Sequence, residues 1–322
     1  MKTVMTVKKG AVLAMLLSAT MMSSAHALTV YTAGPGSLAK SLASGYEKKT
    51  GVKVNIFQAT TGKVMARLDA EQANPQADVL ISASWDTAED LHQRGWLLPY
   101  QSANADKVPA NLKSADYVAQ GISALGIVWN SKSGTPEPKE WRDLTEAAFK
   151  DKVTTPDPAL SGASLDLLIG LQNGMGDKAW ALFDDLKKNG MVVSGPNAQA
   201  VTPVMQGAKA AVFGAVDYVS YGNIAQGESL KVIFPASGTV IAPRPMMILK
   251  TTQHADDAKA FVDYVLSPEG QAMVADAWLM PARSDVQAKR PLLDELKILP
   301  TTSDGSSERS TVLSRFNTLF AQ

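Results

Sequence analysis

The chain has 322 residues, of which 45% are hydrophobic, and its 31 lysines and arginines balance its 31 aspartates and glutamates. This balance excludes a protein that binds nucleic acid through bulk positive charge. The sequence contains no cysteine, so a scaffold held by disulfides is excluded as well, and an extensive hydrophobic core must stabilise the fold.

Residues 1–27 have the pattern of a secretory signal peptide. Three lysines precede an apolar run over 11–17, and small residues stand at 25–27. The apolar run is too short to span a bilayer, so we expect a signal peptidase to cut after Ala27 and release a periplasmic protein. Cleavage removes these three lysines and leaves 28 basic against 31 acidic residues. The net charge of the mature chain therefore provides no general attraction for anions.

Strands and helices alternate at the start of the mature chain. Strands are predicted at 28–31, 52–57 and 77–82, with helices over about 38–49 and 63–73 between them. This alternation is typical of a parallel, doubly wound α/β sheet.

Two extended segments predict crossings between two lobes. The apolar run 121–129 hardly alternates with polar residues, as is expected of a strand that is buried on both faces, and 237–249 returns the chain. We therefore predict an α/β fold with a hinged cleft, in which each lobe is a doubly wound sheet. Lobe 1 comprises 28–126 plus 240–322, and lobe 2 comprises 127–239.

The remaining elements follow from apolar periodicity. Helices are predicted near 141–149, 165–172, 178–188, 201–207, 255–266 and 268–277, and a strand at 210–215. The polar segment 301–310 is predicted to be loose.

Hydroxyl and glycine residues recur where a predicted strand leads into a helix. They are Gly36, Ser37, Thr60, Thr61, Gly62, Ser82, Ser84, Ser161, Gly162 and Ser164. The unpaired amides and positive dipole of a helix start can hold a carboxylate or phosphate, and such loops line the ligand crevice of doubly wound sheets. We therefore predict one site for a small anion, with a plain helix cap as the alternative for each residue.

Asp217 and Tyr218 follow the predicted strand 210–215. We predict that Asp217 accepts hydrogen bonds from the polar remainder of the ligand, and a helix cap is again the alternative. Tyr218 and Tyr221 share one helical face, so Asp217, Tyr218 and Tyr221 form an alternative site for a hard metal ion.

Signatures of catalysis are absent from the sequence. Beyond the signal peptide the histidines are His92 and His254, and the chain has no nucleophile elbow, H-E-x-x-H motif or phosphate-binding P-loop sequence. We predict no catalysed reaction and no cofactor. The enzymatic alternative is a periplasmic phosphoester hydrolase with a cleft serine as nucleophile, although no serine has an evident base beside it.

Several motifs resemble one family of bacterial receptors. These motifs are Thr60 to Leu68, Ala77-Asp78-Val79 before a serine-rich loop, Asp157-Pro158 before Ser161-Gly162, Ala242-Pro243, and Ser267 to Gln271. The resemblance covers nearly the whole mature chain. The family consists of solute-binding proteins of ABC importers and includes ferric-ion-binding proteins and receptors for hexose phosphates and 2-aminoethylphosphonate.

The resemblance implies a two-lobed, type II periplasmic-binding-protein fold. Such a receptor closes on its ligand and then docks on a membrane permease and its ATPase, and it needs no second copy, so a monomer is expected. Iron-binding members use two adjacent tyrosines, whereas Val219 follows Tyr218 here. Phosphate-ester and phosphonate receptors use hydroxyls and helix-start amides. We predict a receptor for an organophosphate or a phosphonate, with ferric iron as the alternative ligand.

Overall fold

The computed structural model describes residues 27–291, 293–294, 296–301 and 306–321. Apart from Ala27, the predicted signal peptide lies outside these ranges. Within these ranges, no helix has the length and apolar content needed to cross a membrane.

The chain alternates strands and helices as the sequence predicts. The strands are β1 (Leu28–Thr32), β2 (Val54–Gln58), β3 (Val79–Ile81), β4 (Tyr117–Asn130), β5 (Val153–Thr155), β6 (Val192–Val193), β7 (Ala211–Val216), β8 (Leu230–Ile233), β9 (Ile241–Ile248) and β10 (Met280–Pro281). The helices are α1 (Gly36–Thr50), α2 (Thr61–Ala70), α3 (Trp85–Gln93), α4 (Gly162–Met175), α5 (Asp177–Lys188), α6 (Asn197–Met205), α7 (Asp217–Ala225), α8 (Ala255–Val265), α9 (Pro268–Asp276) and α10 (Ser306–Phe320). Short 3₁₀ turns lie at Ala103–Lys107, Ala110–Leu112, Trp141–Thr145 and Ala147–Phe149.

The strands follow the order β2-β1-β3-β9-β4-β7-β5-β6, and β8 and β10 both pair with β4. The pairs β1–β2, β1–β3, β5–β6 and β5–β7 are parallel, as the alternation predicts. The pairs that involve β4 or β9 are antiparallel, so the sheet is mixed. The difference arises because β4 and β9 are the crossing segments and run opposite to the strands beside them.

The long strand β4 joins the two lobes. Its first part pairs with β9, and its second part pairs with β7 and β8. Every residue of β4 after Tyr117 is buried, which explains the nearly continuous apolar run. One hydrophobic core surrounds β1, β3 and α8, and another surrounds β7, α4 and α5. Each of these two cores lies in one lobe of the fold.

The C-terminal helix α10 differs from the prediction. Residues 306–310 are helical rather than loose, and 302–305 lie outside the described residues. Val312 and Phe316 belong to the core around α4 and α5, and the ring centroid of Phe316 is 6.1 Å from that of Phe183. Helix α10 therefore packs on the second lobe, although the predicted division placed 240–322 in lobe 1. The other lobe boundaries stay a prediction.

A buried side-chain amide fixes the turn that follows α9. Gln271 is fully buried, donates to the carbonyls of Gln120 (2.9 Å) and Val265 (3.0 Å), and accepts from the amide of Ala282 (2.7 Å). We expect Gln271→Leu to lower the free energy of unfolding by about 3 kcal/mol, because unpaired buried groups cost roughly 1–3 kcal/mol each. Chemical denaturation measures this change. Gln72→Leu at an exposed turn is the control, and equal stability of the two variants would contradict the prediction.

Candidate functional site

A cavity of about 600 Å³ lies between the two lobes. The loops that follow β1 and β2 form its first-lobe side, and the starts of α4, α6 and α7 form its second-lobe side. Several helix starts therefore face one space. Such starts carry backbone amides without partners inside the helix and the positive end of the helix dipole, so the cavity favours negative charge.

Six of the predicted site residues line this cavity. They are Gly36, Ser37, Thr60, Thr61, Ser161 and Tyr218. The hydroxyls of Thr60 and Ser161 cap α2 and α4, since they accept from the amides of Lys63 (3.4 Å) and Ser164 (3.2 Å). Helix α1 has no side-chain cap, because Pro35 occupies its cap position. Capping and lining therefore coexist at Thr60 and Ser161.

Two predicted serines are buried in the structure and do not line the cavity. Ser82 donates to Thr87 Oγ1 at 2.9 Å and accepts from the amide of Ser84 at 3.2 Å. Ser164 is buried within the first turn of α4. At both positions the local turn places the side chain in the interior and outside the cavity lining.

Gly62, Gly162 and Ser84 lie where the lobes touch, beside the cavity. A Cβ atom on Gly62 would lie 2.5 Å from the carbonyl oxygen of Ala159, and one on Gly162 would lie 2.8 Å from Ser84 Cβ. Glycine is needed at both positions because the opposite lobe approaches so closely. These residues therefore form part of the contact between the lobes.

Asp217 does not reach the cavity. Its side chain is fully buried, lies 2.5 Å from Arg290 Nη1 and accepts from the amide of Ala124 at 3.0 Å. Arg290 is 73 positions later in the chain, so the sequence pattern around Asp217 did not reveal this pair. In the structure, Asp217 anchors the start of α7 to β4 instead of facing a ligand.

The tyrosines of the alternative metal site are separated. Tyr218 lines the cavity, whereas Tyr221 lies outside its lining and stacks under the guanidinium of Arg290, 4.9 Å from the ring centroid. Burial raises the pKa of Tyr218 and raises that of Tyr221 to about 12, so both phenols are protonated at neutral pH. Among the described residues, no cluster of three or more His, Cys, Asp or Glu side chains is arranged for a metal ion.

Arg244 is a cavity residue that the sequence analysis missed. It lies on β9, is 1% exposed, and donates from Nη2 to the carbonyl of Ala33 at 2.6 Å. Its Nε has no hydrogen-bond partner, and Arg244 takes part in none of the ion pairs found among the described residues. Burial lowers the pKa of Arg244 from its usual high value. The signal in the sequence was an arginine inside the predicted crossing segment 237–249.

An unpaired buried guanidinium is costly. Removing a charged group from water costs several kcal/mol unless a partner of opposite charge compensates it. The Tyr218 ring, 6.0 Å from the guanidinium carbon, provides only a weak cation–π contact. Arg244 lines the cavity, where the charge of a bound anion would compensate that of the guanidinium.

Asn197 and Trp278 complete the cavity wall and were also missed. Asn197, the first residue of α6, donates to Ser161 Oγ at 2.8 Å and accepts from the amide of Val216 at 3.2 Å. Trp278 has a left-handed backbone, with φ of 64°, and lines the cavity near Gly222. Neutral amides of Gln58, Asn223 and Gln226 line it as well. The remainder of the cavity is thus aromatic and polar, and it includes the carboxylate of Asp276.

Among the described residues, Asp276 is the carboxylate that lines the cavity, and it forms an ion pair with Lys289. His92 and His254 do not line the cavity, and their Nδ1 atoms lie 2.7 Å from Asp116 and 3.2 Å from Asp78, respectively. No histidine therefore stands beside the hydroxyls of the cavity among the described residues. The arrangement can bind and orient an anion through hydroxyls, helix starts and Arg244.

The sequence matches a family of known proteins and individual members of it. Residues 74–308 match the family of bacterial extracellular solute-binding proteins. A putative 2-aminoethylphosphonate-binding periplasmic protein of Salmonella typhimurium is 28% identical over 261 residues, which cover 75% of this chain and 73% of the relative.

Two solved structures share the fold. The periplasmic binding protein AfuA of Actinobacillus pleuropneumoniae, solved with fructose-6-phosphate, is 24% identical with a TM-score of 0.84, covering 91% of this chain and 98% of its own. Iron-bound HitA of Pseudomonas aeruginosa is 22% identical with a TM-score of 0.78, covering 90% and 99%. Both matches support the two-lobed architecture.

Proposed function

This chain belongs to the bacterial extracellular solute-binding proteins, and we propose that it captures an organophosphate, such as a hexose phosphate, or a phosphonate between its lobes. The receptor works in the periplasm after cleavage behind Ala27. It delivers its ligand as a monomer to an ABC permease and ATPase in the inner membrane, and it catalyses no reaction. The names of relatives support this class, since one is called 2-aminoethylphosphonate-binding and another was solved with fructose-6-phosphate.

The observation that carries the proposal is the unpaired, buried Arg244 in the cavity. A phosphate or phosphonate group satisfies it through charge-assisted hydrogen bonds, which are worth roughly 1.5–3 kcal/mol each. Further donors come from the hydroxyls and helix starts around it. The proposed anion-binding residues are Gly36, Ser37, Thr60, Thr61, Ser161, Asn197 and Arg244. Three or four such bonds supply the ~8 kcal/mol of a micromolar complex.

The size of the cavity favours an organic ligand over inorganic phosphate. A volume of about 600 Å³ falls in the range of sites for whole small molecules, which is about 300–1,000 Å³. Tyr218, Trp278 and the neutral amides face the space that a phosphate group leaves. We assign the contacts with the organic part to these side chains and no longer to Asp217.

Thermal unfolding of the chain from Leu28, freed of ligand, tests this proposal. The probes are glucose 6-phosphate, glycerol phosphate, 2-aminoethylphosphonate, inorganic phosphate and ferric citrate. A ligand at 100 times its dissociation constant adds about 2.7 kcal/mol, a shift in Tm of several degrees. We expect an organophosphorus compound to raise the Tm most. A Tm rise and colour with ferric citrate alone would establish the iron alternative instead.

A further inference from the structure

A second charged cluster lies outside the cavity, at the contact between the lobes. Arg309 of α10 forms ion pairs with Asp86 of α3 and with Asp166 of α4, the latter at 2.9 Å. Arg309 Nη2 also donates to Ser84 Oγ at 3.3 Å, and Ser84 Oγ donates to Asp166 Oδ1 at 3.0 Å. The side chains of Arg309 and Asp86 are each 15% exposed, and that of Asp166 is 6% exposed. The network is therefore largely shielded from water.

The members of this network come from different lobes. Ser84 and Asp86 follow β3 in the first lobe, whereas Asp166 lies in α4 of the second lobe. Arg309 is carried by α10, whose Val312 and Phe316 are buried in the second-lobe core. Separating the lobes therefore breaks the contacts to Asp86 and Ser84 and leaves the pair of Arg309 with Asp166 intact.

The contact lies where the two lobes approach each other closely. Gly62 meets the carbonyl of Ala159, and Gly162 meets Ser84, at distances that leave no room for a Cβ atom. The charges are also unbalanced, because one guanidinium serves two carboxylates. Burial raises the pKa of Asp166 to about 6, with Arg309 opposing and Asp86 adding to the rise. Arg309 therefore offsets part of the cost of burying the Asp166 carboxylate.

We propose that Arg309 is a positioning residue that latches the lobes together, held on the second lobe by Asp166 and engaging Asp86 of the first lobe on closure. Removing one member of a shielded ion pair leaves its partner charged and away from water, so the contact depends on both side chains. The C-terminal helix thereby takes part in closure although it contributes nothing to the cavity lining. This inference depends on cleft closure and not on the identity of the ligand.

The distance between the lobes tests this inference without any ligand. Since the natural chain has no cysteine, Gln72→Cys and Lys178→Cys provide one exposed spin-label site on each lobe. Pulsed dipolar spectroscopy then gives the distance distribution. Asp86→Asn is the main variant, because it removes the contact across the cleft and leaves the Arg309–Asp166 pair balanced. We expect a longer and broader distribution than with Asp86 present.

Two further variants complete the experiment. Arg309→Gln should lengthen the distance as well, and combining it with Asp86→Asn should add little, because both remove the same contact. Arg315 lies on the same helix, with its guanidinium carbon 4.0 Å from the centroid of the Trp180 ring. Its replacement, Arg315→Gln, is the control and should leave the distance between the lobes unchanged. Distances that stay the same in Asp86→Asn would overturn the proposal, even if Arg309→Gln fails to fold. The thermal unfolding experiment with organophosphorus compounds does not depend on this result.

Discussion

Arg244→Met is expected to reduce the affinity for the organophosphorus ligand by about 100-fold or more, without lowering the stability of the ligand-free protein. The loss corresponds to about 3 kcal/mol, the sum of two charge-assisted hydrogen bonds. Methionine has a similar length and remains compatible with burial at this position, where Arg244 is 1% exposed. Titration calorimetry gives the affinity, and chemical denaturation gives the free energy of unfolding.

The two readouts together separate a binding role from a structural one. A buried charge without a partner destabilises the free protein, so its replacement by an apolar side chain should leave the free energy of unfolding unchanged or raise it. A structural arginine would behave in the opposite way, with a clear loss of stability. Arg315→Met, at the surface of α10, is the matched control and should change neither quantity. Unchanged affinity in Arg244→Met would remove Arg244 from the site.

Gly62→Ala is expected to weaken ligand binding by hindering closure. The new Cβ atom would lie 2.5 Å from the carbonyl oxygen of Ala159, so the lobes cannot approach as closely as they do here. Steric strain of this kind costs about 1–3 kcal/mol, which lowers the affinity roughly 5- to 150-fold. Titration with the compound that stabilises the natural protein measures the change.

The stability of this variant should not fall. Gly62 stands in the first turn of α2, and alanine favours a helix over glycine by up to about 1 kcal/mol. A conformation with the lobes farther apart therefore accepts the substitution. Lys63→Ala, at an exposed position of the same helix, is the control and should bind as the natural protein does. If Gly62→Ala binds with full affinity, the contact with Ala159 is not part of the binding conformation.

Much of the fold could be predicted because local patterns determine it. The nearly continuous apolar run of β4 revealed a strand buried on both faces, and the alternation at the start of the chain gave the parallel strands. Helix α10 escaped because its first turns are polar, and its packing depends on Val312 and Phe316 meeting a core built from residues far earlier in the chain.

The site was predictable only where a residue acts through its local position. Ser161 and Thr60 are recognisable because a hydroxyl before a helix caps it whether or not a ligand is present. The binding role of Arg244 is inferred instead from the lack of a carboxylate beside it among the described residues. A sequence pattern cannot reveal such a lack, because it depends on which residues the fold brings together. The burial of Asp217 likewise depends on Arg290, which only the folded chain brings beside it.

The most direct test of the central claim is a calorimetric titration of the chain from Leu28 and of its Arg244→Met variant. Each protein is titrated with glucose 6-phosphate, glycerol phosphate, 2-aminoethylphosphonate and ferric citrate. We expect one organophosphorus compound to bind the natural chain with a 1:1 stoichiometry and micromolar or better affinity, and to lose this binding in the variant. Binding of ferric citrate alone, or equal organophosphate binding by both proteins, would contradict an anion site built on Arg244.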